Sequence, residues 1–188
     1  MTNQNTEFEP SLHQSERQTK MESKKARIAV LMGSESDLPN LRGGFSILDD
    51  FKIEYKVRVI SAHRTPHIAS EFAQSAKEKG IEVIICAAGM AAHLAGVIAS
   101  HTILPVIGIP MPCEPFNGLD ALLATVQMPP GIPVATVTAG KAGAKNAALY
   151  AIQILALTDS ELVEKLNKFR KEQTAKVIMA DQDIINKI

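Results

Sequence analysis

Five times between Arg27 and Leu157 a short apolar run is followed by a segment whose apolar residues recur at helical spacing. That alternation limits the chain to few folds. Residues 27–32 (RIAVLM) and 81–86 (IEVIIC) are apolar almost throughout, as expected of strands covered on both faces. Ile53, Tyr55, Val57 and Val59 alternate with Glu54, Lys56 and Arg58, which predicts a half-covered strand. Residues 105–109 and 133–138 are the fourth and fifth strands. Between them fall helical patterns: Leu38, Leu41, Phe45 and Leu48; a helix from Pro66 to a stop at Gly80; a short one from about His93 to Ser100; one carrying Leu119, Leu122, Leu123 and Val126; and an Ala-rich one over about 144–157. Ser36, Thr65 and Asn117 are the expected N-caps, and Thr158-Asp159-Ser160-Glu161 reads as a capping box before a last helix. Strand and helix in strict alternation predict a three-layer α/β/α sandwich around a parallel, flavodoxin-like sheet of about five strands.

Composition narrows the function. At 188 residues and 46% hydrophobic, the chain can build one full core, and with only 4% aromatics that core must be aliphatic. Lys+Arg and Asp+Glu are 20 each, so no bulk charge draws the chain to nucleic acid or to an anionic membrane. No apolar run reaches the roughly 18 residues of a membrane span. Cys86 and Cys113 form neither a disulfide framework nor a zinc motif, and a reducing cytoplasm is the simplest setting. Residues 1–25 are polar and lack an apolar core, so they read as a disordered tail rather than a secretory signal; His13 there carries no weight. Residues 26–158 are expected to be the catalytic domain, and 159–188 a C-terminal helix that packs in an oligomer.

In parallel α/β sheets ligands bind beyond the carboxyl ends of the strands. The loops to inspect are therefore 33–37, 61–65, 87–93, 110–117 and 138–144. Gly33-Ser34-Glu35-Ser36-Asp37 offers a tight turn, two hydroxyls and helix-end amides for an anion, plus an acceptor suited to a ribose diol; it could equally be a helix cap. Ser61-Ala62-His63-Arg64-Thr65 sets a proton carrier beside a bidentate anion binder. A cation at a helix start is mildly unfavourable, by about 0.3–1 kcal/mol, which tilts the pair toward function. Ala87-Ala88-Gly89-Met90-Ala91-Ala92-His93-Leu94 has side chains small enough for backbone amides to approach a ligand or for helix to pack on sheet. His93 is either a second polar group or a buried structural histidine, and the structural role is expected. His67 and His101 fall on helix bodies. Cys113 lies in a crevice loop without a basic neighbour in sequence, so no activated nucleophile is implied. No metal-ligand spacing, dinucleotide fingerprint or Walker A loop is present; Gly140-Lys141-Ala142-Gly143 only resembles part of one.

Six segments in order resemble the PurE family of purine biosynthesis, the N5-carboxyaminoimidazole ribonucleotide mutases. They are residues 32–37 (MGSESD), Ser61 to Pro66, Ala91-Ala92-His93-Leu94, residues 118–123 (GLDALL), residues 126–134 (VQMPPGIPV) and residues 144–149 (AKNAAL). The resemblance spans about Arg27 to Val177. Ala87, Met90 and Ala95 stand where the family usually has two glycines and a proline, which bears on the width of that loop. Arg64 and Met90-Ala91-Ala92 side with the mutases rather than with the branch that uses carbon dioxide directly. The resemblance implies a cofactor-free and metal-free carboxyl shift with His63 as general acid and base. It places Ser34, Ser36, Asp37, Ser61, Arg64, Gly89, Ala91, His93 and Leu94 around a small ribonucleotide substrate, with Asp37 toward the ribose and Ser36 and Arg64 toward the phosphate. It also implies a homo-octamer. A direct carboxylase and a non-catalytic nucleotide-binding module are the competing readings.

Overall fold

A computed structural model of the chain describes residues 25–187. The tail expected over residues 1–25, His13 included, lies outside the described residues apart from Lys25. In order, the elements are β1 (Ile28–Met32), a single 3-10 turn (Glu35–Asp37), α1 (Leu38–Asp50), β2 (Tyr55–Val59), α2 (Pro66–Ser75), β3 (Val83–Gly89), α3 (Leu94–Ser100), β4 (Val106–Met111), α4 (Leu119–Val126), β5 (Ala135–Thr136), α5 (Gly140–Ala156) and α6 (Ser160–Ile185). All strands pair in parallel, in the order β2-β1-β3-β4-β5. The chain goes outward from β1 to β2, then returns to β3 on the other side of β1, so the switch in strand order falls between β1 and β3.

The two-residue period of a strand divides the core. Ile28, Val30 and Met32 face a cluster completed by Leu41 and Leu48 of α1 and by Ala144, Ala147, Ala148 and Ala151 of α5. Ala29 and Leu31 face the opposite cluster, with Ala69, Phe72 and Ala73 of α2 and Leu94 and Ile98 of α3. Every residue of β1 is buried, as the apolar run requires. α4 joins the second layer: a Cβ on Gly108 of β4 would lie 2.4 Å from Cγ2 of Thr125 on α4 and 3.4 Å from Cβ of Ala95 on α3. α6 begins on the first layer, where Leu162 is buried and Leu166 and Phe169 pack against the same cluster. Beyond them the helix is exposed.

Several local expectations are corrected. Ser36 does not cap α1. Ser34 caps the 3-10 turn instead, its Oγ accepting from the Ser36 amide at 3.4 Å, and Asp37 occupies the cap position of α1 without a capping bond. Thr65 does hold the expected cap position of α2, but its hydroxyl bonds back to the preceding loop rather than to a helix amide. Gly118, at φ +87°, takes the place expected for Asn117. Asp159, not Thr158, caps α6 by accepting from the Leu162 amide at 3.4 Å. The residue types that cap helices also close turns, and side-chain direction decides between the two. β5 is only two residues long where six were expected; Pro133, with no amide proton, lies just outside it. α5 starts four residues earlier than the Ala-rich run suggests, and β3 runs on to Gly89. β2 is an edge strand on which Val57 and Val59 are 38% and 55% exposed, so the half-covering expected of it reaches only Ile53 and Tyr55.

Candidate active site

The loops after β1, β2 and β3 meet at the switch point, and hydrogen bonds lock them together. After β2, the Thr65 hydroxyl donates to the Ser61 carbonyl at 2.9 Å and accepts from the Ser61 amide at 3.0 Å, closing the loop on itself. Ser61 Oγ then accepts from the Arg64 amide at 3.1 Å. The Arg64 guanidinium reaches across to donate through Nη2 to the Gly33 carbonyl at 3.2 Å. One arginine thus ties the β2 loop to the β1 loop, and it makes no ion pair among the described residues. Its remaining donors are available to an anion. In the β1 loop the Ser36 hydroxyl bonds Ser34 Oγ at 2.9 Å, which gathers two hydroxyls at the same mouth.

Asp37 is the unusual group of this loop. Only 8% of the residue is exposed, and among the described residues no side chain bonds its carboxylate. Burial raises its pKa above the ordinary carboxylate value, opposed by a hydrogen bond from the Ser34 backbone. A desolvated carboxylate facing a cavity suits a ligand that brings hydroxyl donors.

His63 Nε2 lies 2.8 Å from His93 Nδ1, with the rings edge to face at 74°. One ring donates and the other accepts, so the pair holds a proton between two loops thirty positions apart in sequence. His93 is exposed at the start of α3, which overturns the buried structural role expected of it. Met90 takes φ +55°, the left-handed region that glycine occupies without penalty, and is 61% exposed. The backbone shape usually provided by glycine is kept here by a methionine.

All ten residues singled out in the sequence line one cavity of about 500 Å³: Ser34, Ser36, Asp37, Ser61, His63, Arg64, Gly89, Ala91, His93 and Leu94. Cys113, set aside as a nucleophile, also lines it. The signal for Cys113 was its crevice loop; what the sequence could not supply was the register that pairs Gly89 with Met111. His67 is exposed on α2, away from the cavity. His101 lies with Lys77 and Tyr150 on a larger, more open groove of about 910 Å³ near the start of β4. That groove is at the amino ends of the strands, opposite the end where such sheets bind ligands. Among the described residues no three His, Cys, Asp or Glu side chains are grouped to hold a metal, and no helix is long and apolar enough to cross a membrane.

Fold and cavity together define an open-sheet, flavodoxin-like α/β protein with a hydrogen-bonded histidine pair and an arginine free of ion pairs, among the described residues, at its switch point. Residues 27–176 match the sequence model of the AIR carboxylase family. The chain is 54% identical over 146 residues to the N5-carboxyaminoimidazole ribonucleotide mutase of Pyrococcus abyssi, covering 78% of this chain and 83% of that protein. It is 50% identical over 153 residues to the protein of the same name from Escherichia coli, covering 81% and 90%. The crystal structure of Treponema denticola PurE superposes with a TM-score of 0.75 at 30% identity, covering 83% of this chain and 96% of that one. The chain belongs to the AIR carboxylase family.

Proposed function

We propose that this chain is an N5-carboxyaminoimidazole ribonucleotide mutase, an isomerase of purine biosynthesis that yields 4-carboxyaminoimidazole ribonucleotide. One observation carries the chemistry: the hydrogen-bonded His63 and His93 stand beside Arg64 in a single cavity at the switch point. Family membership and relatives of that name at about half identity support the assignment. Arg64, Ser34 and Ser36 hold the phosphate, Asp37 accepts from the ribose hydroxyls, and Ser61, Gly89, Ala91 and Leu94 shape the rest.

The substrate carries a carbamate on its exocyclic amine. The N–C bond breaks, its electron pair stays on nitrogen, and protonated His63 supplies the proton there. The freed carbon dioxide is attacked by the electron-rich ring carbon C4. His63, now neutral, removes the C4 proton and restores the aromatic ring. The proton count closes, and His63 ends the turnover as it began. In its protonated state both ring nitrogens carry hydrogen, so Nε2 donates to His93 Nδ1 and Nδ1 serves the substrate. Acid and base duty in one turnover suits imidazole, which exchanges protons near neutral pH, and such transfer is worth about 10²–10⁴-fold. Retaining carbon dioxide calls for a dry, close-fitting wall, which Ala88, Gly89 and Ala91 supply. No step calls on a metal or an organic cofactor.

Residues 26–158 form the catalytic unit in this reading. Residues 159–188 pack between copies of a cytoplasmic homo-octamer. The deciding assay offers the carbamate nucleotide without ATP or bicarbonate. Conversion is expected, and His63→Asn should bind the nucleotide yet lose about two orders of magnitude or more in turnover. Unchanged turnover in that variant refutes the proton role. Activity only with bicarbonate and the decarboxylated nucleotide makes the chain a direct carboxylase, and binding without turnover makes it a nucleotide-binding module.

A further inference from the structure

Three of the cavity's walls come from the loops after β1, β2 and β3. The fourth comes from β4, through Cys113 alone. The thiol is held by sheet packing rather than by its loop. Parallel pairing sets Gly89 opposite Met111, and Cys113 follows two residues later. A Cβ added to Gly89 would lie 2.6 Å from Cys113 Sγ and 3.2 Å from the Met111 carbonyl, so the sulfur rests directly on the end of β3. A larger residue at position 89 would have to displace the sulfur and press on the Met111 carbonyl. Burial pushes the Cys113 thiol up, the charges of Asp37 and Asp120 add to this, and only a hydrogen bond from the Met90 backbone opposes it. The sulfur is therefore protonated at neutral pH: a compact, weakly polar surface rather than a nucleophile.

The second observation is independent of the cysteine. Asp37, more than nine-tenths buried, lines the same cavity with no side chain bonded to its carboxylate among the described residues. Asp37 and Cys113 line the one cavity, and the carboxylate charge is among the causes that raise the thiol. A ligand that brings hydroxyl donors to Asp37 enters the space that the sulfur also bounds. Thiol and carboxylate then bound one subsite, with one polar wall and one soft apolar wall.

We propose that Cys113 is a specificity-determining residue that packs against the sugar of the bound nucleotide and limits the size of the group accepted beside Asp37. This rests on reading the cavity as a ribonucleotide site. The sulfur takes no part in the chemistry; it fixes where the sugar sits and hence where the imidazole ring meets His63.

The test is protection of the thiol in the native chain. N-ethylmaleimide at mildly alkaline pH should label Cys113 and remove activity in step, whereas Cys86, 1% exposed and with its thiol pushed far up by burial, stays unlabelled. 4-Carboxyaminoimidazole ribonucleotide at about ten times its Kd should slow Cys113 labelling about 10-fold, because only the free site reacts. Cys113→Leu, at a half-buried loop position, should fold normally and raise KM about 10-fold or more with a smaller change in kcat. Nucleotide binding by calorimetry with unchanged labelling and an unchanged KM in Cys113→Leu overturns the proposal and leaves the ribonucleotide reading standing. Failure of the nucleotide to bind at all removes both.

Discussion

Asp37 lines the cavity at a cost to the fold. Its pKa is raised by desolvation, so the native state holds that proton more tightly than the unfolded chain does. The sign follows from linkage. Below the unfolded carboxylate value both states are protonated and Asp37 costs nothing. As pH rises through that value toward the higher native one, the unfolded state gives up its proton first and stability falls. Above the native value the full cost remains. Asp37→Asn should therefore melt at a higher temperature than the native chain at neutral pH, and at the same temperature once pH is well below the carboxylate range. Its KM for the nucleotide should rise, since the amide accepts ribose donors more weakly. Thermal melts at the two pH values check this, and an equal difference at both refutes the desolvation argument. The residues of this cavity were legible because Ser, His, Arg and Asp are conspicuous next to strand ends. One was misjudged: His93 looked structural because its partner, His63, is thirty residues away. Distances between loops come from strand register, which a single sequence encodes only indirectly.

The elements themselves were easier to read than their ends. Periods of two and 3.6 residues located five strands and six helices, since burial of one face imposes those periods directly. The caps expected at Ser36 and Asn117 each fall one residue before the observed ones, Asp37 and Gly118, and the Ser36 hydroxyl bonds Ser34 Oγ rather than a helix amide. α1 and α5 approach closely through small residues. A Cβ on Gly44 of α1 would stand 2.7 Å from the Ala144 carbonyl oxygen and 3.1 Å from its carbon, so backbone meets backbone at that crossing. Gly44→Ala cannot be absorbed by a side-chain rotation; the two helices must part. Alanine's better helix propensity, worth up to about 1 kcal/mol, offsets part of an overpacking cost of about 1–3 kcal/mol. A net loss of roughly 1–2 kcal/mol in denaturant melts is expected, with kcat little changed because α1 and α5 meet away from the cavity. A gain in stability would mean that the helices already sit farther apart.

At the scale of the whole molecule, the described residues leave apolar surface uncovered. Leu119, Leu122, Leu123 and Val126 of α4 recur at i, i+3, i+4 and i+7, and are 58%, 38%, 51% and 50% exposed; Phe116 just before them is 64% exposed. Ala121 and Thr125 of the same helix are buried against the sheet, so α4 is apolar on its outer face as well as its inner one. A single helix with both faces apolar is stable in water only if something covers the second face. The edge strand β2, with Val57 and Val59 outward, and the distal half of α6, with Val177, Ile178 and Met179 exposed, present further surface of the same kind. α6 is anchored only near its start, where Arg27 bonds Glu82 at 2.5 Å and Asp159 at 2.9 Å and so joins the cap of α6 to the sheet. Among the described residues nothing covers the rest of the helix. Sedimentation of the native chain should give eight times its 20.3 kDa mass. Leu123→Glu, at an exposed position with no role in the chain's own core, should yield smaller species with unchanged helix content, because an unpaired charge buried in a subunit contact is strongly disfavoured. A native chain that sediments as a monomer refutes self-association. A variant that keeps the native mass shows that α4 faces something other than another copy.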